Sequence, residues 1–124
     1  MKRLTFSKKK KLVSNEQFKA VIAHGRCART GLLILYMAGN KCGYPRLGVS
    51  IGKIYGNAVM RNHLKRLLRE AFRQNQNRIP ANYDYLIMIS QKKRTTRNLT
   101  FRHVEDSLLA LIDSLQKKGI PRDE

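Results

Sequence analysis

The chain has 124 residues, of which 42% are apolar, enough for one compact domain with a modest core and too many for a wholly disordered chain. Its 26 Lys and Arg against 8 Asp and Glu give a formal net charge of +18, which makes RNA, DNA or an anionic membrane surface the leading partner. Its longest apolar run, residues 32–38, is far shorter than the roughly 20 residues that span a bilayer, so no transmembrane helix is expected.

The first half of the chain predicts one helix and two strands. Ser14 and Gln17 have the spacing of a capping box, and the helix that they open ends at Gly25. An apolar run at residues 32–38 and an alternating segment at residues 47–51 are both preceded by turn residues, which is typical of strands. We expect these two strands to pair as a hairpin-like ribbon.

The second half predicts a long helix, a strand and a last helix. A Gly-Asn pair at residues 56–57 opens the long helix, which runs to about residue 76, and a turn at residues 80–82 leads into an alternating strand at residues 83–90. The last helix covers residues 99–118 and carries an apolar stripe that we assign to the core. The resulting order, α-β-β-α-β-α, predicts an α+β fold in which a small sheet is sandwiched with helices.

Positive charge is concentrated in one part of the sequence. Residues 1–102 hold 23 basic and 3 acidic side chains, whereas residues 103–124 hold 3 and 5, so a polyanion should avoid the C-terminal segment. The basic clusters are an N-terminal arm within residues 1–11, the long helix between Arg61 and Arg73, and a loop at residues 92–97. A solvated surface explains any one cluster equally well, but three with almost no carboxylates destabilise a compact fold unless a partner relieves the repulsion.

The long helix has one cationic side and one apolar side. The cationic side falls within an arc of roughly 140° and consists of Arg61, Lys65, Arg66, Arg69 and Arg73, with Asn62 among them. The opposite arc is apolar and predicts burial against the core. Because Glu70 is the only carboxylate on this helix, we interpret the cationic side as a contact with a line of phosphates rather than as a solvated surface.

Two aromatic residues predict a second surface. Phe18 on the first helix and Tyr36 on the first predicted strand are placed where both rings could face an open groove beside the sheet, in which unpaired bases would stack. Periodicity alone favours an ordinary core position for Phe18, so the pattern leaves both alternatives open.

The segment from Arg46 to Arg73, with its Arg-Leu-Gly-Val-Ser and Gly-Asn-Ala-Val-Met-Arg-Asn-His runs, resembles the protein subunit of bacterial ribonuclease P. The likeness continues through Phe18 and Tyr36 upstream and through the Tyr-Asp-Tyr of residues 83–85 downstream, so it covers nearly the whole chain. We expect one domain over residues 1–124, with a basic arm at its start.

The resemblance implies a left-handed β-α-β crossover around the long helix, an exception to the usual right-handed rule. It also implies that this helix docks on a catalytic RNA and that a groove between the first helix and the sheet binds the single-stranded leader of precursor tRNA. The implied contacts with the catalytic RNA are Lys53, Asn57, Arg61, Asn62, His63, Lys65, Arg66, Arg69 and Arg73. The implied contacts with the leader are Lys11, Phe18, Ile22, Tyr36 and Ser50.

The resemblance implies further that the RNA carries the catalytic centre and holds most of the Mg²⁺. No catalytic residue and no metal ligand are assigned to the protein, and direct binding of ions to it is left open. The residues agree with this, because a protein nuclease needs convergent carboxylates or paired histidines. Before residue 103 the only carboxylates are Glu16, Glu70 and Asp84. The expected partners are the catalytic RNA and precursor tRNA, without a membrane or an obligate protein partner.

Three positions depart from the pattern of the family. His63 stands where the second arginine of an Arg-Asn-Arg run is usual, Ile54 replaces the second lysine of a basic pair that Lys53 begins, and Ile22 occupies a place that can be aromatic. A neutral histidine cannot supply the charged fork of arginine. We therefore expect docking to depend more on the cations that follow His63, and leader stacking to depend on fewer rings.

Two other functions remain open on the residues alone. A structural RNA-binding protein, such as a ribosomal component, would share the charge and the sandwich, and a protein endoribonuclease would draw on the dispersed carboxylates and histidines. Cys27 and Cys42 lack the spacing of a disulfide framework or a zinc site, and the apolar Leu12-Val13 pair is too short for a signal peptide. Free thiols and a cytoplasmic location are therefore expected.

Overall fold

The computed structural model of the protein describes residues 15–41, 43–90 and 99–117. The basic arm with Lys11, the capping residue Ser14 and the basic loop at residues 92–97 lie outside these ranges, so the expectations placed on them stay predictions.

The described residues form three α-helices and four strands. In chain order these are α1 (Asn15–His24), β1 (Arg26–Arg29), β2 (Leu33–Gly39), β3 (Arg46–Ser50), α2 (Ala58–Gln74), β4 (Tyr83–Ile89) and α3 (Phe101–Lys117). Short 3-10 turns at Lys53–Tyr55 and Gln76–Arg78 flank α2. The α+β class is confirmed, and the predicted helices and strands lie within a few residues of their observed bounds.

The sheet has one strand that the predicted order lacks. β1 has only four residues and one buried side chain, Ala28, so it is too short to show the alternation of a longer strand. It forms an edge of the sheet and pairs antiparallel with β2.

The pairing of the strands also differs from the prediction. The strand order is β1-β2-β4-β3, with β4 antiparallel to β2 and parallel to β3. The expected ribbon of β2 and β3 is therefore wrong, because β4 lies between them. Five of the seven β4 side chains are buried, which is typical of a central strand. α2 forms the crossover between the parallel strands β3 and β4.

The two faces of the sheet are covered to different extents. Alternate side chains of β2 and β4, among them Leu35 and Ile87, enter the main core together with residues of α2 and α3. On the opposite face, Val21 of α1 is buried with Ala38 and Leu86 in a smaller group that we call the α1 cluster. With ten residues, α1 is about 15 Å long and covers only part of this face.

Gly25 sets the approach of α1 to the sheet. A Cβ atom at Gly25 would lie 2.5 Å from the carbonyl oxygen of Val21 and 2.9 Å from that of Met37. The Gly25 N–H donates a hydrogen bond to the Val21 carbonyl at 2.8 Å, which ends the helix. Only glycine permits this contact between the last turn of α1 and the backbone of β2.

Gly25→Ala is expected to lower the free energy of unfolding by about 1–3 kcal/mol, as at other overpacked sites, because the added methyl group meets backbone atoms that cannot rotate away. Gly31→Ala is the matched control, since nothing lies within 4 Å of the Cβ position there. Denaturant titration of both variants measures the difference, and equal stabilities would contradict this account of the junction.

Candidate nucleic-acid interface

A tight turn sets the start of α2. Gly56 has a φ of 131°, and a Cβ atom there would lie 2.8 Å from the Met60 side chain, so the position requires glycine. Asn57 caps the helix, its Oδ1 accepting a hydrogen bond from the Met60 N–H at 3.0 Å. Arg61 Nε donates to the Gly56 carbonyl oxygen at 3.1 Å. Asn57 and Arg61, both predicted to contact RNA, therefore also stabilise this turn.

The two sides of α2 are segregated as the sequence predicts. Leu64, Leu68, Ala71 and Phe72 are buried in the main core. The polar side, which we call the α2 outer face, consists of Arg61, Asn62, His63, Lys65, Arg66, Arg69 and Arg73. Three of these side chains, among them Arg66, are exposed, and the other four are partly buried. Partial burial is usual for long cationic side chains, whose stems lie on the protein while the charged group reaches water.

Arg73, at the end of the α2 outer face, is held in an ion pair. Its Nε donates to Glu70 Oε1 at 3.1 Å and its Nη2 donates to Oε2 of the same carboxylate, to which Gln74 also donates at 2.7 Å. These hydrogen bonds, chiefly those from Arg73, lower the pKa of Glu70 to about 2. Glu70 therefore stays ionised and offsets the charge of Arg73, so the last turn of α2 presents less positive charge than the sequence predicts.

The middle of α2 lacks such compensation. Within the part of the chain that the structure describes, Lys65, Arg66 and Arg69 form no ion pair with a carboxylate. Like charges on successive turns of a helix destabilise it slightly, whereas phosphates placed along them release counterions and bind. RNA would therefore gain most by lying along these three residues.

Exposed apolar residues interrupt the basic surface near the start of α2. Lys53 is exposed in the first 3-10 turn, but the adjacent Ile54 is 63% exposed and Val59, in the first turn of α2, is 78% exposed. Ile54 stands where the resemblance expects a lysine. Because its side chain lies at the surface, this departure removes a cation without altering the core.

The second candidate surface lies on the sheet face that carries α1. Cross-strand pairing sets rows of residues across this face. One row is Cys27, Tyr36, Leu86 and Gly48, and the next, which we call the outer row, is Arg29, Ile34, Met88 and Ser50. No member of the outer row is buried. We call this surface the cleft: Phe18 and Ile22 of α1 form its wall, and Tyr36 with the outer row forms its floor.

The structure brings the predicted leader-binding residues together on the cleft, except Lys11, which lies outside the described residues. Phe18 and Tyr36 both pack on the α1 cluster and both stay partly exposed. The periodicity of Phe18 left open a core position or a position facing a groove, and its ring has features of both. Ile22 is 44% exposed on the wall, and Ser50 is partly exposed at the end of β3.

Two apolar floor residues, Ile34 and Met88, are absent from the predicted site. Ile34 lies two residues before Tyr36 on β2, and Met88 lies two residues after Leu86 on β4, so each shares the cleft side of its strand. The alternation within each strand contains this signal, but it becomes usable only when the pairing of β2 with β4 is known. Both side chains are partly exposed and give the floor an apolar centre.

Tyr36 is the polar residue at the middle of the cleft. Burial raises the pKa of its hydroxyl above the usual range, the neighbouring Cys27 side chain raises it further, and the nearby Arg29 guanidinium lowers it. The hydroxyl therefore stays protonated at neutral pH and can both donate and accept a hydrogen bond.

The cleft and the turn that leads into α2 lie at the same end of the strands. Because β3 and β4 are parallel, their last residues, Ser50 and Ile89, lie at one end of the sheet. The 3-10 turn that carries Lys53 follows there, and its Tyr55 hydroxyl donates to the Ile89 carbonyl oxygen at 3.0 Å. An RNA on α2 and a single strand in the cleft would therefore approach each other at this end of the sheet.

Arg46 and Asp84, which belong to the segments that carry the resemblance, tie β3 to β4. Arg46 Nε and Nη2 donate to the two carboxylate oxygens of Asp84, each at 2.7 Å. Asn40 donates to Asp84 Oδ1 at 2.7 Å, and both residues are buried. This network satisfies the carboxylate and holds the parallel pair in register.

Among residues 15–41, 43–90 and 99–117, no three His, Cys, Asp or Glu side chains are grouped so as to hold a metal ion. No helix within the same ranges is both long enough and apolar enough to cross a bilayer.

Known proteins are similar to this sequence along nearly its whole length. A profile of the family described as Ribonuclease P matches residues 6–116. The chain belongs to the ribonuclease P protein family. It is 36% identical over 114 residues to the ribonuclease P protein component of Clostridium botulinum (strain Langeland), covering 91% of this chain and 97% of that one. It is 32% identical over 106 residues to that of Alkaliphilus metalliredigens, covering 86% and 93%.

Solved structures agree with this assignment. The ribonuclease P protein of Thermotoga maritima superposes with a TM-score of 0.75 at 27% identity, covering 84% of this chain and 96% of that one. The ribonuclease P protein of Staphylococcus aureus gives a TM-score of 0.73 at 25% identity, covering 90% and 96%. The resemblance drawn from the signature is thus confirmed, and the chain is the protein component of a tRNA-processing ribonucleoprotein.

The pair of Glu70 and Arg73 predicts a small dependence of stability on pH. A carboxylate whose pKa is lowered by folding contributes stability that is fully present above its unfolded pKa, about 4.3, and is lost as the pH falls through the folded value of about 2. Because the Glu70 side chain is 42% exposed, water screens the pair, and we expect only about 0.3–0.5 kcal/mol.

Glu70→Gln isolates this contribution. The free energy of unfolding of the native protein should exceed that of the variant above about pH 5, and the difference should disappear as the pH falls to about 2. Denaturant titrations of both proteins across this range measure it. A difference that stays constant with pH would show that the ion pair does not set the stability of this turn.

Proposed function

We propose that this protein is the RNA-binding subunit of a ribonuclease P and assists the catalytic RNA in removing the 5′ leader of precursor tRNA. The observation that carries the proposal is the α2 outer face. Its middle cations, Lys65, Arg66 and Arg69, form no ion pair with a carboxylate of the described residues, and the opposite side of the helix is buried. Phosphates along this face relieve the repulsion and accept the forked hydrogen bonds of arginine.

The contacts with the catalytic RNA are proposed to begin at the turn before α2 and to follow the helix. The turn supplies the exposed Lys53, and Asn57 opens the helix. Arg73 contributes least in this proposal, because Glu70 offsets its charge. His63, exposed on the α2 outer face, supplies hydrogen bonds rather than a fixed charge at neutral pH.

The cleft is proposed to bind the single-stranded leader. Phe18 and Tyr36 offer partly exposed rings on which bases stack, at about 1–3 kcal/mol each. Ile22 and Met88 add apolar surface to the cleft, and Ser50 at the end of β3 adds a partly exposed hydroxyl. Lys11 is proposed to add a cation to this site.

The chain's own part in the reaction is electrostatic and positional. Its cations offset the repulsion between two RNAs, and its cleft holds the leader beside the phosphodiester that is cut. Mg²⁺, held mainly by the catalytic RNA, would supply the activated water. We place this work in the cytoplasm, where the exposed thiol of Cys27 would stay reduced.

Two substitutions on the α2 outer face should act in opposite directions. Arg66→Ala should weaken binding to the catalytic RNA. It should also reduce the magnitude of the slope of log Kobs against log salt by about 0.9, which is the change for the loss of one phosphate contact. His63→Arg should strengthen binding and steepen the slope by a similar amount. Arg102→Ala, which removes an exposed cation from α3, is the control. Binding over a salt series measures the slopes, and equal slopes for Arg66→Ala and Arg102→Ala would show that RNA does not contact α2.

Phe18→Leu separates stacking from packing in the cleft. Leucine keeps an apolar side chain on the α1 cluster but removes the ring, so the reconstituted ribonucleoprotein should bind precursor tRNA about 5- to 150-fold more weakly and bind leaderless tRNA as before. Val21→Ala is the control, because Val21 is buried in the same cluster and should affect stability without leader selectivity. Equal losses on both tRNAs for Phe18→Leu would place Phe18 in the core alone.

A further inference from the structure

Arg29 is an exposed cation at the end of the outer row, and none of the leader contacts proposed above involves its side chain. It is the last residue of the edge strand β1 and pairs with Ile34, which in turn pairs with Met88. Ser50 pairs with Met88 from the other side. Arg29 and Ser50 therefore lie at opposite ends of one row, three strand spacings or about 14 Å apart.

The described part of the protein places no carboxylate in an ion pair with Arg29 on this face. Asp84 is on the same face of the sheet, but Arg46 and Asn40 occupy its carboxylate oxygens. Arg29 lies diagonally across from Tyr36 on the paired strands β1 and β2, on the same face of the sheet. Burial raises the pKa of the Tyr36 hydroxyl, and the guanidinium of Arg29 lowers it in part.

The register of β1 decides which arginine reaches the cleft. Arg26 pairs with Met37, whose side chain enters the main core, whereas Arg29 pairs with Ile34 on the cleft floor. Both arginines are exposed, on the same four-residue strand, but they lie on opposite faces of the sheet. Arg26 is therefore a control for Arg29 that is matched in charge, exposure and strand.

We propose that Arg29 binds a backbone phosphate of the single-stranded leader, next to the nucleotide whose base stacks on Tyr36. The inference rests on the proposed leader-binding function of the cleft and adds to it an anchor at the edge of the sheet. The floor between Ser50 and Arg29 is apolar, which suits stacked bases, and a guanidinium at its end suits the forked acceptor of a phosphate. A leader long enough to cross the outer row reaches Arg29, and a shorter one does not.

The test uses the ribonucleoprotein reconstituted from the full-length protein and its catalytic RNA. Binding of precursor tRNAs with leaders of increasing length, and of leaderless tRNA, is measured over a salt series for the native protein, Arg29→Ala, Arg29→Lys and Arg26→Ala. Arg29→Ala should lose about tenfold in affinity for long leaders, with a salt slope smaller in magnitude by about 0.7, the value for one contact to a single-stranded phosphate. Leaderless tRNA should bind as before. Arg29→Lys should keep the slope and lose only part of the affinity, because lysine keeps the charge without the fork.

The outcomes separate this inference from the proposal on which it rests. If Arg29→Ala matches Arg26→Ala for every leader while Phe18→Leu still weakens leader binding, the cleft binds the leader and Arg29 is not its anchor. If Arg29→Ala weakens leaderless tRNA equally, Arg29 contacts another part of the RNA and the inference is wrong. If the loss of affinity is the same with and without a leader for both Arg29→Ala and Phe18→Leu, the proposal that the cleft binds the leader is wrong as well.

Discussion

Burial of the apolar side of α2 against the sheet is the interaction on which both candidate RNA surfaces depend. Phe72 meets Tyr85 of β4 edge to face, with the ring centroids 5.4 Å apart, and both side chains are fully buried. Such a pair adds about 0.5–1.5 kcal/mol to the burial of the rings themselves. The Tyr85 hydroxyl donates to the Pro80 carbonyl oxygen at 2.6 Å, which satisfies the one polar group that this contact buries. With Leu64 and Leu68 on the same side, the packing fixes the rotation of α2 about its axis and so fixes which cations point to solvent.

The few carboxylates of the basic part of the chain serve the fold. Before residue 103 the chain has three, and two of them are engaged with arginine: Asp84 with Arg46 and Glu70 with Arg73. The first pair is partly buried and joins β3 to β4, whereas the second is more exposed and contributes little stability. The described cations without a carboxylate partner repel one another, and a bound polyanion relieves that cost. The same arrangement that weakens the free protein therefore strengthens its complex with RNA.

The sequence predicts local features of this fold better than it predicts pairing. The period of α2 identifies Leu64 and Leu68 as core and Arg66 as surface because helical periodicity depends only on residue spacing. The position of β4 between β2 and β3 depends on contacts between distant segments, and β1 is too short to show a period. The sequence pattern therefore predicts neither feature. The sequence also does not predict the ion pair of Arg73, for a different reason. A charge count cannot show that the one nearby carboxylate is bound to that arginine rather than to another.

The cleft is open because of where α1 ends and how the strands beneath it are paired. Gly25 ends α1 by bringing its last turn against the backbone of β2, so the short helix covers the α1 cluster and leaves the outer row partly exposed. A fully covered face would be more stable by the burial of Ile34 and Met88, at about 25 cal/mol for each Å² of apolar surface. An open face that is apolar at its centre, cationic at one end and hydroxylated at the other is instead suited to a single strand of RNA. Because Ser50 lies at the end of β3 where the turn before α2 begins, any shift of β3 against β4 would move the cleft and α2 together. The pairing of Arg46 with Asp84 opposes that shift, so these two residues support both surfaces although neither is a proposed RNA contact.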